Sequence, residues 1–225
     1  IKVGSSLLVE QDGTIRREWL RSLVRDLVDL RHEGEAIAVV SSGAIALGAR
    51  RLALAKGGRA NLEDAQAAAA VGQIALAQVW SSLLAEQKLI GAQILLTLDD
   101  LEDRRRYLNA VATLDRLFGL GAVPVINEND SVATTEIRFG DNDRLAARVA
   151  QAASARRVVL LSDIDGLYTA DPATDPAATR IAEVDRVDRH IAAMATGGSA
   201  SGMGSGGMSA KLEAALIATD AGAEL

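Results

Sequence analysis

Two lysines in glycine-rich settings and one run of amides and carboxylates carry most of the chemistry legible in this sequence. Lys2, Lys56, Lys88 and Lys211 are the only lysines in 225 residues. Lys2 stands where an apolar stretch enters the turn KVGSS (2–6), and Lys211 directly follows SGMGSGGMSA (201–210). Glycine lets backbone N–H groups approach phosphate oxygens, and a helix N-terminus adds favourable partial charge. Two ammonium groups reaching one phosphoryl group from opposite ends of a chain suit charge stabilisation during transfer. The polar run is NENDSVATTEIRFGDNDRL (127–145), which begins immediately after the apolar AVPVI (122–126). Asn donates and accepts hydrogen bonds together, and Asp accepts from an ammonium group. That mixture suits an amino acid, which bears both –NH3+ and –COO−. Asn, Asp and Gly are also ordinary turn residues. The whole cluster beside a buried strand, rather than any one residue, points to a site.

The elements that must position these groups alternate between strand and helix. Strands are expected at the chain start (1–3), at 36–40, 92–97, 122–126 and 157–162. Helical spacing marks 15–33, 62–88, 103–118, 142–154, 186–195 and 208–221. Gly34 fits a C-cap, and Asn61 fits an N-cap with Glu63 and Asp64 in the first turn behind it. Such alternation implies a mostly parallel α/β sheet covered by helices on both faces. Ligands then bind just beyond the carboxyl ends of the strands, where Asn127 begins the polar run. No internal repeat is present. The one low-complexity piece is TGGSASGMGSGGMSA, 196–210. Both ends read as cut: the first strand has three residues, and a further strand is expected after 221.

Composition narrows the function classes. The 225 residues are enough for one large α/β domain or two small ones, and the 49% of hydrophobic residues fits a globular protein with a real core. No uninterrupted apolar run reaches membrane-span length and no basic leader is visible, so a cytoplasmic location is the default expectation. Cysteine is absent, which removes disulfides, thiolate metal sites and cysteine nucleophiles. The two histidines, His32 and His190, sit in charged helical surroundings, so no multi-histidine metal site or Ser-His-Asp triad is expected. With a net charge of −6 and no basic stripe, nucleic-acid binding is disfavoured.

Some patterns are decoys. Gly202, Gly204 and Gly207 satisfy G-x-G-x-x-G but lack the preceding strand and the acidic residue about twenty positions on. Gly43 to Gly48 has the spacing of a P-loop start, yet Ala49 and Arg50 stand where Lys-Ser/Thr is required. Trp19 and Trp80 fall on apolar helix faces and read as core. Arg104, Arg105 and Arg106 read as a solvated face. SDIDGLYTADP (162–172) reads equally as a nucleotide-holding loop and as a long connection closed by an Asp-Pro turn.

Taken in order, KVGSSLL, VVSSGAIALG, QAAAAVGQIALAQ, QILLTLDDLEDRRRYLNA, VPVINENDSVATTEIRFGDNDRLAA, LLSDIDGLYTADP and GMGSGGMSAK closely resemble the amino acid kinase family, and within it the members that phosphorylate glutamate. The resemblance covers nearly the whole chain. It implies a three-layer α/β/α sandwich forming a single domain, with an amino-acid-binding part over about 1–150 and a nucleotide-binding part over about 151–225. It implies transfer of phosphate from ATP, with Mg2+ riding on the nucleotide, to the γ-carboxylate of L-glutamate, the first step of proline biosynthesis. Lys2, Lys211 and Asp143 take the catalytic roles, the aspartate orienting both lysines. Ser42, Asp130 and Asn142 take the amino acid. Lys2, Ser162, Asp163 and the run Ser205, Gly206, Gly207, Met208, Ser209, Ala210, Lys211 take the nucleotide. No dedicated protein metal site is implied. Further implications are proline as a feedback inhibitor, a homo-oligomer and a glutamyl phosphate reductase acting downstream. Many relatives carry a C-terminal PUA domain that these residues do not include. Two positions depart from the usual pattern: Ala210 stands where a threonine is common, and Val111 where an arginine is common. The alternatives are an acetylglutamate or carbamate kinase of the same family, a non-catalytic amino-acid sensor of the same fold, and a dinucleotide-dependent dehydrogenase.

Overall fold

The computed structural model describes residues 1–10, 13–132, 142–195 and 207–225. In chain order the elements are β1 (Lys2–Val3), α1 (Ser5–Leu8), α2 (Arg17–His32), β2 (Val39–Ser41), α3 (Ala44–Arg51), α4 (Leu62–Glu86), β3 (Gly91–Leu96), α5 (Leu98–Glu102), α6 (Arg104–Gly119), β4 (Val123–Glu128), α7 (Asn142–Ala152), β5 (Leu160–Leu161), β6 (Leu167–Tyr168), β7 (Arg180–Ile181), α8 (Arg189–Met194) and α9 (Met208–Asp220). Five strands form one parallel sheet in the order β3-β4-β2-β1-β5. β6 and β7 pair separately as an antiparallel hairpin.

Side-chain alternation assigns the two sheet faces. Val3, Val39, Val123 and Val125 join a core with Leu20, Leu27, Leu76, Trp80 and Leu84 of α2 and α4. Their neighbours Val40 and Ile126 point the other way, into a core with Leu101, Leu114 and Leu145 of α5, α6 and α7. The result is the expected three-layer α/β/α sandwich. A third cluster is built from small residues, with Ala147 and Ala150 of α7 meeting Ala214 and Ala218 of α9, so these two helices approach closely.

Local signals explain the helix ends. Asn61 accepts from the Asp64 backbone N–H at 2.7 Å, an N-cap for α4. Gly34, at φ +90°, follows the last turn of α2 in a conformation that disfavours side chains. α4 has 25 residues and is long and apolar enough to cross a membrane by length and composition, but its inner face forms the core on the sheet.

Several expectations shift. The strand expected at 36–40 is Val39–Ser41, because Glu35 ends the α2 turn by donating its backbone N–H to Leu30. The strand expected over 157–162 is split: Arg157 bridges Glu224, and only Leu160–Leu161 pair with β1. α3 and the β6–β7 hairpin are elements where the sequence pattern predicts none.

Candidate active site

The parity that builds the two cores also sorts the polar residues. Lys2 precedes Val3, so its side chain leaves β1 on the α7 side. There its Nζ lies 2.7 Å from Asp143 Oδ1, an ion pair without hydrogen-bond alignment. Asp143 sits in the first turn of α7, where a carboxylate is favoured by the helix dipole. Its other oxygen accepts a hydrogen bond from Lys211 Nζ at 3.1 Å. Lys211 is carried in the first turn of α9, which the alanine contact with α7 and the 3.9 Å Arg144–Glu213 ion pair draw against Asp143. The side chain of Asp143 is 2% exposed, and those of Lys2 and Lys211 are 10% and 16% exposed. Two ammonium groups are thus held side by side by one buried carboxylate, leaving a net positive charge.

The neighbouring residue, Asn142, is buried and donates its Nδ2 to Ser42 Oγ at 3.0 Å. Ser42 belongs to the turn between β2 and α3, whose Gly43 has φ +101°. Asp130 lies two residues beyond β4, is 6% exposed, and has one oxygen without a hydrogen-bond partner. Burial pushes its carboxyl up to about 6, against the opposing pull of the Arg59 guanidinium. Arg59 comes from a loop in which Lys56, Gly57 and Gly58 all have positive φ. Gly58 packs there against Ala49 and Ala68, at a spacing that would bring an added Cβ within 2.8 Å of Ala49.

Ser162 and Asp163 leave the end of β5 beside Gly4, whose backbone N–H donates to Leu161 at 3.1 Å. They therefore lie at the same sheet edge as Lys2. Ser162 Oγ donates to Asp163 Oδ1 at 3.2 Å. Gly207 is the N-cap of α9, and Met208, Ser209, Ala210 and Lys211 form its start. Ser205 and Gly206 lie outside the described residues. A separate open cavity of about 530 Å3 is lined by Thr169, Asp171, Thr174, His190, Ala193 and Met194 and includes none of the expected site residues.

Sequence reasoning missed three participants. Arg59 gave no signal beyond its place in a glycine-rich loop. Ser41 and Gln73 are polar residues on otherwise apolar faces, and that interruption was the available clue. Ser41 accepts from Trp80 Nε1 at 2.8 Å, and Gln73 accepts from Asn127 Nδ2 at 2.8 Å.

The family model of the amino acid kinase family matches residues 1–224. Among curated proteins, the chain is 66% identical over 225 residues to a glutamate 5-kinase of Sphingopyxis alaskensis, covering all of this chain and 61% of that protein. It is 65% identical over 225 residues to a glutamate 5-kinase of Zymomonas mobilis, covering all of this chain and 57% of that protein. The chain thus spans about three fifths of the length of these relatives. Among solved structures, an isopentenyl phosphate kinase substrate complex superposes with a TM-score of 0.63 at 16% identity, covering 99% of this chain and 86% of that one. E. coli aspartokinase III in complex with aspartate and ADP superposes with a TM-score of 0.58 at 19% identity, covering 96% of this chain and 59% of that one.

Proposed function

The chain belongs to the amino acid kinase family, and from that premise we propose that it phosphorylates the γ-carboxylate of L-glutamate with ATP, giving γ-glutamyl phosphate and ADP. The observation that carries this reading is the Lys2–Asp143–Lys211 cluster beside the Ser42–Asn142 pair. An acidic amino acid placed over Ser42, Asn142 and Asp130 would present its far carboxylate towards the two lysines. Asp130 would accept from the α-ammonium, which an N-acetylated or carbamate substrate lacks.

In this mechanism a carboxylate oxygen attacks the γ-phosphorus and the bond from that phosphorus to the β-phosphate oxygen breaks. The carboxylate is already nucleophilic, so no general base is needed. Catalysis consists of alignment and charge neutralisation. Lys2 and Lys211 neutralise the oxygens of the transferring group, and Asp143 fixes the spacing of the two ammonium groups. Both Asp143 oxygens face a lysine, so this carboxylate acts as a lysine holder rather than a metal ligand. Mg2+ favours phosphate oxygens and water, and in this reading it arrives on the nucleotide and adds charge neutralisation there. Ser162, Asp163 and the start of α9 take the nucleotide, which makes 151–225 the nucleotide part and 1–150 the amino-acid part of one domain.

Placed in the cytoplasm, this reaction opens proline synthesis. Proline would compete with glutamate for the same amide and carboxylate groups. A homo-oligomer and a downstream glutamyl phosphate reductase complete the reading. The test is formation of γ-glutamyl hydroxamate by full-length protein with glutamate, ATP, Mg2+ and hydroxylamine. Preference for N-acetylglutamate or carbamate, or no phosphoryl transfer at all, overturns it.

A further inference from the structure

Behind the amino-acid subsite, on the opposite face of the sheet, α4 makes two polar contacts, one buried and one part-buried, that core packing does not require. Trp80 is 1% exposed among leucines and valines, and its indole Nε1 donates to Ser41 Oγ at 2.8 Å. Ser41 Oγ lies 3.4 Å from the Ser42 carbonyl, and Ser42 Oγ accepts from Asn142 at 3.0 Å. A polar chain therefore crosses the sheet from α4 to α7 through the end of β2. Seven residues before Trp80, and so on the same face of the helix, Gln73 accepts from Asn127 at 2.8 Å. Asn127 lies three residues before Asp130 at the end of β4. α4 therefore contacts both strand ends from which the subsite is built.

The helix is itself fixed. A Cβ added to Gly72 would lie 1.8 Å from the Ala44 carbonyl oxygen, and one added to Gly48 would lie 1.7 Å from that of Ala68. The α3 and α4 backbones therefore touch, and α3 starts directly after the Ser42–Gly43 turn. A buried indole N–H needs an acceptor, and the one it finds is the residue adjoining Ser42.

We propose that Trp80 and Gln73 are positioning residues for the amino-acid subsite: Trp80 fixes the Ser42 turn through Ser41, and Gln73 fixes the Asp130 strand end through Asn127. The inference rests on the reading of Ser42, Asn142 and Asp130 as that subsite. α4 then sets the spacing between the two halves of the subsite without touching substrate.

The experiment is steady-state kinetics on full-length protein, varying the amino acid and ATP separately, for wild type, Trp80→Phe, Ser41→Ala, the double variant and Gln73→Leu. Each single change should raise the amino-acid KM about tenfold, the scale of one buried hydrogen bond, while the ATP KM stays within about twofold. The double variant should be no worse than the worse of its two parents, because both remove the same bond. If Trp80→Phe does not fold, Ser41→Ala removes that bond from the other side and decides. Equal rises in both KM values, an unchanged amino-acid KM, or additive losses in the double variant overturn the proposal. Wild-type turnover with glutamate tests the function separately. If the wild type prefers a different amino acid, the same comparison is run on that acceptor.

Discussion

Asp143→Asn isolates the central electrostatic claim, because it keeps the shape of the side chain and removes only its charge. In the wild type, ammonium nitrogens stand 2.7 and 3.1 Å from the two oxygens of a carboxylate that is 2% exposed. Each lysine gains its partner where little water competes. Without the charge the two ammonium groups repel; two unit charges at about 5 Å do so by roughly 3 kcal/mol at an effective dielectric constant near 20. They would splay towards water and leave the position required by the transferring phosphoryl group. Losing one preorganised charge stabiliser typically costs on the order of 10² to 10³ in kcat, and here two are displaced together. The expected result is a fall in kcat on the order of 10³ or more. The KM for glutamate should change little, because Ser42, Asn142 and Asp130 keep their places. Removing one member of a buried ion cluster costs about 3–5 kcal/mol when the remaining charge stays buried. Splaying relieves part of that, so a lower melting temperature with a folded far-UV spectrum is expected. The assay is hydroxamate formation with parallel ADP release, at saturating substrates and at several ionic strengths. A variant that keeps kcat within about tenfold of wild type would refute the argument, since the lysines would then not need Asp143 to act.

Lys211→Ala should leave the fold intact and cut turnover by on the order of 10² or more; near-normal turnover with a slightly raised melting temperature would instead mark a solvated lysine in a helix first turn. Asn142→Ala should raise the glutamate KM on the scale of roughly 1–3 kcal/mol, about 5- to 150-fold, with ATP little affected; weakened ATP with unchanged glutamate would move the residue to the other subsite. Asp130 has a folded value of about 6 against an ordinary 3.8, so the folded state binds its proton more tightly than the unfolded one. Stability should therefore fall as pH rises from about 4 to about 6 and stay reduced above, so Asp130→Asn should raise the melting temperature at pH 8, do little at pH 4, and abolish tight glutamate binding; equal effects at both pH values would count against it. In the wild type the glutamate KM should rise below about pH 6 as Asp130 takes its proton, and Arg59→Gln should move that rise to higher pH; a pH profile unmoved by the change would remove Arg59 from the subsite.

The sequence disclosed the parts of this molecule that rest on local chemistry. Asn61 and Gly34 announced helix ends because capping depends on one side chain or one backbone angle. The strand at 122–126 was legible because it is apolar on both faces, and the helix at 62–88 because it is long. α3 was hidden because Gly48 within it and Gly43 just before it read as turn residues. Gly48 is in the helix for another reason: its missing side chain lets α3 touch α4. The split of 157–162 was also hidden, since which partner strand lies on each side of a residue is not a local property. Residue type and resemblance singled out the lysines, Asp143, Asn142, Ser42 and Asp130, and the resemblance also paired Asp143 with both lysines, but neither signalled the Asn142–Ser42 hydrogen bond. That Asn142 meets Ser42 across 100 positions follows only from the crossover topology.

That topology also explains why consecutive residues do different work. Along β2, Val39 and Val40 enter opposite cores, and the alternation continues into Ser41 and Ser42. Ser41 faces α4 and receives the indole N–H, whereas Ser42 faces α7 and meets Asn142. On β4, Ile126 enters the α7 core while Asn127 turns to Gln73 on α4. A one-residue slip of either strand would exchange the faces. It would turn the hydroxyl that meets Asn142 towards α4 and the one that meets Trp80 towards α7. The apolar residues that fix strand register therefore fix the site as well. Register-setting valines such as Val39 and Val125 thus help place the proposed subsite from within the core.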